Sequence, residues 1–572
     1  MSLDRLLAPR TITALLLVPL APLACGDDGG GTAGTAGETG TTDPAVVTTG
    51  GGTGGNTNAS ATGTGTGGAS MGTTSDASTS SGGTMGIKFD VGGADDIGAT
   101  GGPMVDECKV VDNMDAVGDC EEEAPPDSFE PEVEWSFTDQ GEPYSYVTPL
   151  VANLTDDDGN GEIDLCDIPD VIAVFGVNPS SPGSVGHVYV LDGETGTVHY
   201  VTEDAVDGTF TPAIGDIDND GIAEIVTATP GGSMIAFEHD GTKKWEKPAT
   251  WQIGQIFNQD LRYSCAASLA DLDADGDVEI MISNRVFDHE GAQLAVLPGL
   301  VYPLSTTTAA DLDGDGDLEV ILGATAFHHD GSLYYSVNQV GPGHPAVADL
   351  DGDDEPEVIV TTDQGISVLE HDGAIKQLNV QPNQEFSWKG PAAVHDIDAD
   401  GQPEILVSSI NRFEAVEAGL ALIWSADALD GSGYAAGTAF DFLGDGTADA
   451  MYADESTLYV FDSAGAIQLQ QPRFSVTQVE YPVVADIDND GSAEILIVSN
   501  GGGGIPPLRA IRDAGDRWIS ARRIWNQHTY HVTNVREDGT IPKHEPRHWE
   551  GLNTFRTNAQ IEGGVICQPP LD

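Results

Sequence analysis

The sequence predicts an all-β chain built from repeated units of about four strands, and three observations carry that prediction. A short acidic loop recurs eight times between residues 153 and 494, most often as DxDxDGxxE. Each copy runs into a short apolar, β-branched stretch, such as Glu279-Ile-Met-Ile or Glu494-Ile-Leu-Ile-Val, which reads as a buried strand and not as an amphipathic helix. The first acid of each copy returns after 38 to 60 residues, a spacing that signals propeller blades. The fold class is therefore a β-propeller of seven to eight blades, with eight favoured.

The loops come first in the argument because they carry chemistry. In chain order their acids are Asp216, Asp218, Asp220 and Glu224; Asp271, Asp273, Asp275 and Glu279; Asp311, Asp313, Asp315 and Glu319; Asp349, Asp351, Asp353 and Glu357; Asp396, Asp398, Asp400 and Glu404; and Asp486, Asp488, Asp490 and Glu494. A seventh copy keeps Asp441, Asp445 and Asp449 but has Leu443 at the third position, so its site is expected to be the weakest. The earliest copy is longer and aligns in two ways. Asp156, Asp158, Asn160 and Asp164 follow the pattern directly, while Asn153 and Asp170 take the first and ninth positions if the stretch between them is an insertion. Carboxylates on alternate residues of a tight glycine turn provide the six to eight oxygens that a hard cation such as Ca²⁺ requires. Up to eight Ca²⁺ ions are therefore expected. An EF-hand is excluded because position 12 is a non-ligand such as Thr227, Ile282 or Leu322 and because strands, not helices, follow.

The strands on either side complete the unit. Before each loop stands a run of small residues, as in His344-Pro-Ala-Val-Ala and Tyr481-Pro-Val-Val-Ala, suited to a crowded inner strand. After each loop and its strand comes an acidic glycine pair, Asp192-Gly193, Asp240-Gly241, Glu290-Gly291, Asp330-Gly331 or Asp372-Gly373, expected to form a two-residue hairpin turn. The units starting near 311 and 349 are short enough that an outer strand could be missing.

With these loops, strands and turns in hand, the chain resembles the FG-GAP (VCBS-type) repeat family, the calcium-loop β-propellers of integrin α N-terminal heads and many bacterial surface proteins. The resemblance spans roughly residues 133 to 560. It implies that each loop joins the first two strands of a blade and that the side chains at positions 1, 3, 5 and 9 bind the ion.

The rest of the chain divides by composition. Residues 1–25 read as a lipoprotein-type signal, with Arg5 and Arg10 flanking a short apolar run and Cys25 as the lipidated residue. Residues 26–104 are a Gly/Thr/Ser-rich tether with too few apolar side chains to fold. Residues 105–132 form an acidic linker in which Cys108 and Cys120 are spaced to close a small disulfide loop. The propeller repeats take 133–505, and an aromatic, basic closing segment takes 506–572. Export and lipid anchoring to the bacterial outer membrane or cell surface follow. With 93 acidic against 22 basic residues and a net charge of −71, nucleic acid is excluded as a partner, and contact with a membrane is expected only through the lipid anchor.

The closing segment concentrates Trp518, Arg522, Arg523, Trp525, His528, Tyr530, His531 and Trp549 in a chain otherwise poor in such residues. It is read first as a structural element that completes or plugs the ring, and second as a recognition surface. Its His544-Glu545-Pro546-Arg547-His548 string has the letters of a zinc-protease motif, but Pro546 bars the helix that the motif needs. No phosphate loop or CxxC pair is present. The expected function is a surface-tethered binding or adhesion module for a glycan or protein, not an enzyme. A structural envelope lipoprotein and a calcium-dependent polysaccharide lyase are the alternatives.

Overall fold

A computed structural model describes residues 108–109, 118–126, 128–177, 184–248, 255–256, 259–260, 266–298, 306–383, 390–500 and 502–569. The signal with Cys25, the tether and Cys265 lie outside these residues. Among the described residues no helix is long and apolar enough to cross a membrane, and the one helical element is the 3-10 turn His548–Glu550.

Eight antiparallel sheets follow one another as blades, seven of four strands and the first with a short fifth strand, Val206–Asp207, paired to its third. Blade 1 is Leu150–Ala152, Asp170–Gly176, Val185–Asp192 and Val198–Val201. Blade 2 is Ala213–Gly215, Glu224–Ala228, Met234–Phe237 and Lys243–Lys247. Blades 3 to 7 repeat the order, opening at Ala267–Ala270, Thr308–Ala310, His344–Ala348, Ala393–His395 and Gly437–Phe440. The short units keep their outer strands, Leu333–Ser336 and Ile375–Val380.

Blade 8 has Val483–Ala485, Glu494–Val498 and Leu508–Asp513, so the repeats run past residue 505. Its outer strand is Pro131–Phe137 from the other end of the chain, which closes the ring and removes a free sheet edge.

Side-chain burial follows the order of the strands. First, second and third strands are almost wholly buried, while fourth strands alternate between half-buried and exposed positions. The core is a series of apolar seams between neighbouring blades. One seam sets Leu272, Met281 and Val286 of blade 3 against Val320 and Phe327 of blade 4.

The hairpins before the outer strands differ from the two-residue turns expected. In blade 2 the Glu238 N–H donates to the Thr242 carbonyl and the Gly241 N–H to the Glu238 carbonyl. The result is a three-residue loop ending in left-handed Gly241, φ 79°, a type I turn with a glycine bulge. In blade 1 the left-handed glycine is Gly196, not Gly193. These glycines also let blades interlock. Tyr200 of blade 1 lies on Gly241, Trp245 on Gly291, Tyr335 on Gly373, Trp424 on Gly465, and Trp135 of blade 8 on Gly196 of blade 1. Several rings add a hydrogen bond, the Trp135 indole N–H to the Gly193 carbonyl at 2.6 Å and that of Trp424 to Ser463 at 3.0 Å.

The closing segment plugs the ring. It reaches the innermost strand, or the residues leading into it, in every blade: Trp525 bridges Val151, the Asn526 carbonyl accepts from the Ile214 N–H, and Thr529 bonds Ser268. Arg556 donates to Ala392, Pro345 and Thr306, its own carbonyl accepts from Thr438, and Asn558 donates to Val484. Trp518, Trp525, Arg522 and Arg556 are buried, as the structural reading of this segment requires. His544 is exposed and His548 buried, with Pro546 between them in non-helical chain, so the zinc-protease string forms no site.

The disulfide expected between Cys108 and Cys120 is not the one formed. Cys108 pairs with Cys166, on the long first loop, and Cys120 with Cys567 near the other end of the chain. The linker is not a self-contained loop. It lies against the head through the bridge of Asp119 to Gln568 and the Ala124 N–H to Leu443 carbonyl bond of 2.7 Å, which brings each cysteine to a distant partner.

Candidate metal centres

Every acidic loop joins the first and second strands of its blade, in a common register. The residue before position 1 pairs with position 9: Gly215 with Glu224, Ala270 with Glu279, Ala310 with Glu319, Ala348 with Glu357, His395 with Glu404, Phe440 with Asp449 and Ala485 with Glu494. Position 9 therefore opens the second strand facing back onto position 1. Its Oε2 accepts the backbone N–H of position 2 in six blades, at 2.7 to 3.0 Å. The position-1 aspartate holds the turn through its Oδ2, which accepts the N–H of position 6, as in Asp271 to Gly276 at 2.8 Å and Asp396 to Gly401 at 2.8 Å.

The same register resolves the first loop. Ala152 pairs with Asp170, and Asp170 Oδ2 accepts the Leu154 N–H at 2.9 Å. Asn153 and Asp170 thus take positions 1 and 9, and the stretch between is an insertion. Asp156 and Asp158 do come together, but with Asp167, whose carboxylate accepts the N–H groups of Asp157, Asp158 and Asp164. Asp164 sits apart beside Cys108 and Cys166, and Asn160 caps the local turn by accepting from Glu162.

Each cage buries or half-buries its position-1 and position-9 residues and leaves positions 3 and 5 mostly exposed. Burial first, and then the neighbouring aspartates, push the carboxyl groups of Glu279 and Glu404 up to about 8, although a backbone N–H opposes the rise in both. In blade 8, burial and then Asp488 hold Asp486 well above the ordinary range, and burial with Asp490 raises Asp488 to about 7. Asp271 Oδ1, Asp396 Oδ1, Glu404 Oε1 and Asp486 Oδ1 are buried without a hydrogen-bond partner. Clustered, unpartnered carboxylate oxygens are the donor set of a hard cation, and the cages of blades 3, 6 and 8 fit Ca²⁺.

The other cages differ. In blade 2 the Lys244 ammonium lies 2.6 Å from Asp218 and 3.0 Å from Glu224; in blade 5 Lys376 lies 2.7 Å from Asp351 and 2.5 Å from Glu357. Blade 4 receives Arg547 on Asp311 at 2.9 Å and His328 on Glu319 at 2.9 Å. Blade 1 has His199 within 3.5 Å of Asp170. In blade 7 all four recorded bonds to Asp441 come from backbone N–H groups. Leu443, in place of an acid, uses its carbonyl to dock the linker at Ala124. Blade 7 is therefore the poorest donor set of the four cages that lack a basic side chain.

The sequence reading missed the basic residues in these cages. A signal for the outer-strand ones was present: His199, Lys244 and Lys376 each stand three residues after the left-handed glycine of the preceding hairpin.

Beside the loops of blades 5, 6 and 7 lies a cavity of about 230 Å³. Asp349, Asp396 and Asp441 of the loops and Trp549, Asn553 and Asn558 of the plug are among its lining. No Lys or Arg is among its lining residues.

Eight blades, each with an acidic loop between its first two strands, define the class, a loop-bearing eight-bladed β-propeller. Residues 216–282, from the blade 2 loop to the second strand of blade 3, match the FG-GAP-like repeat family. The same strand–loop–strand plan recurs in all eight blades, so the chain is an eight-bladed β-propeller that carries an FG-GAP-like repeat.

The crystal structure of the V. cholerae biofilm matrix protein Bap1 is similar at a TM-score of 0.64 and 20% identity, over 77% of this chain and 100% of that one. The rhamnogalacturonan lyase of Bacillus licheniformis gives 0.48 at 15% identity, over 77% of this chain and 83% of that one. At 20% identity the likeness to Bap1 is one of fold alone. No curated protein matches the sequence.

Proposed function

We propose that this protein is an exported, lipid-anchored binding module whose calcium-stiffened head holds a neutral glycan in the cavity beside blades 5 to 7. The observation that carries this reading is the cavity lining: three carboxylates, five amides and an indole, with no Lys or Arg. Carboxylates and amides match the hydroxyl groups of a sugar, and an aromatic wall suits its apolar face. The volume, below the ~300 Å³ at which drug-sized pockets begin, suits about one ring of a chain held at its end. No Lys or Arg stands in the lining to pair with an acidic sugar, so it gives no support to a uronate lyase. Calcium's part is mechanical: Asp396 belongs both to the cavity and to the blade 6 loop, so an ion in that loop fixes a wall of the cavity.

The test is retention of the mature protein on immobilised neutral and acidic polysaccharides and on envelope proteins, with calcium and with chelator. Calcium-dependent retention on a neutral polysaccharide, weakened at least tenfold by Trp549→Ala in a folded variant, is expected. Retention on protein alone, or on no surface, contradicts the proposal.

A further inference from the structure

The outer strand of every blade carries the same irregularity, a one-residue bulge against the third strand. The bulged residues are His199, Lys244, Leu294, Tyr334, Lys376, Ile423 and Gln468 in blades 1 to 7. In blade 8 the bulged residue is Glu134, on the N-terminal strand that closes the ring. A bulge re-aims its side chain, and the two lysines show where it leads. Lys244 Nζ contacts Asp218, Glu224 and Glu238 at 2.6, 3.0 and 3.2 Å. Lys376 Nζ makes the same three contacts, with Asp351, Glu357 and Glu370, at 2.7, 2.5 and 3.4 Å. An ammonium has three N–H donors, and all are used on acids from the loop, the second strand and the end of the third. The bulge thus places a positive charge in the cage, among carboxylates that a metal ion would otherwise bridge.

Blade 8 reverses the charge at that position. By register, Glu134 stands where Lys244 and Lys376 stand in their blades, on the blade whose loop carries Asp486, Asp488, Asp490 and Glu494. Asp486 is 2% exposed and its Oδ1 has no partner, and Glu134 Oε2 is likewise buried and unpartnered. Of the guanidinium groups whose charges reach this cage, Arg512 pairs with Asp516 and Glu132, and Arg523 pairs with Glu537 and touches the loop only through the Asn489 amide oxygen. The register thus sets a fifth carboxylate at the position where blades 2 and 5 have an internal cation.

We propose that the bulge residue sets the source of the cation in these cages. Lys244 and Lys376 make blades 2 and 5 independent of metal. Glu134 joins the loop acids of blade 8 around a divalent cation that ties the N-terminal strand into the last blade and clasps the ring. The inference rests on reading the loops as calcium sites and departs from it in two blades.

The experiment is equilibrium dialysis of the full-length protein against ⁴⁵Ca²⁺, with Lys376→Met, Lys244→Met and Glu134→Gln beside the wild type. The wild type is expected to bind no more than about six ions, eight loops less the two that hold lysine. Each lysine variant gains one ion. Glu134→Gln, close to isosteric, weakens one site by roughly tenfold or more, because affinity in such sites follows the ligand charge.

Eight ions in the wild type, lysine variants that gain none, or a Glu134→Gln curve superimposable on the wild type each overturn the proposal while leaving calcium binding intact. A wild type that binds no calcium overturns the calcium reading itself, and the clasp with it. Should a lysine variant fail to fold, the wild-type count and Glu134→Gln still decide.

Discussion

Stripping the metal should make the head less stable as pH rises, and blades 3 and 6 give the size of the effect. Glu279 and Glu404 are raised to about 8 in the folded head, chiefly by burial, from 4.5. The native state then holds protons that the unfolded chain has released, so stability is fullest below pH 4.5 and is lost as pH climbs through 8. At 1.36 kcal/mol per pH unit, the whole difference is worth roughly 5 kcal/mol per group. Relaxation and water entry at a cage near the surface reduce this to about 2 kcal/mol each. Urea unfolding in chelator between pH 5 and 8 should therefore show a fall of about 4 kcal/mol from these two cages together.

General repulsion in a chain of charge −71 acts in the same direction, so the deciding comparison is with Glu279→Gln plus Glu404→Gln. Glutamine keeps an oxygen for the Leu272 and Ile397 N–H groups but does not titrate. The double variant should be flatter by about that 4 kcal/mol. In millimolar calcium the wild-type slope should reverse, because the metal competes with the proton for the same oxygens. A wild-type slope in chelator equal to that of the double variant would refute the reasoning.

Two further outcomes follow from the closure of the ring and from its turns. Cys120 and Cys567 lie 447 residues apart, so replacing both by serine should cost about 6 kcal/mol in the chain-entropy limit and about 2–5 kcal/mol in practice; equal melting of oxidised and reduced protein would contradict this. Gly373→Ala should cost more than Gly352→Ala. Both glycines have positive φ, but a Cβ on Gly373 would stand 2.6 Å from the Tyr335 ring, whereas on Gly352 it meets open space. Strain alone accounts for about 1 kcal/mol at each site, with about 1–3 kcal/mol more for the clash, and equal losses by thermal melting would show that the ring does not latch on that glycine.

The repeat was legible because the acids and the apolar strand behind them are local. The spacing of Asp271, Asp275 and Glu279 is set within nine residues and survives in any environment. What escaped the sequence depends on distant pairing. Pro131–Phe137 meets Leu508–Asp513 across the whole chain, and nothing in an acidic linker announces that strand. Asp170 is separated from Asn153 by an insertion, so the direct pattern drew Asp164 into a site it does not share. The cysteines of the linker were read as neighbours in sequence, although docking against the head gives each a distant partner. The cage lysines were hidden for a different reason, since a bulge shifts the side-chain direction by one residue and Lys244 then points where simple alternation would not send it.

The most direct test of the account is a crystal grown with calcium and measured for anomalous scattering. The expected result is a peak within each of the cages of blades 3, 6 and 8, between the position-1 aspartate and the position-9 glutamate, with none beside Lys244 or Lys376. An anomalous map without peaks in any acidic loop would contradict the claim that these loops are metal sites.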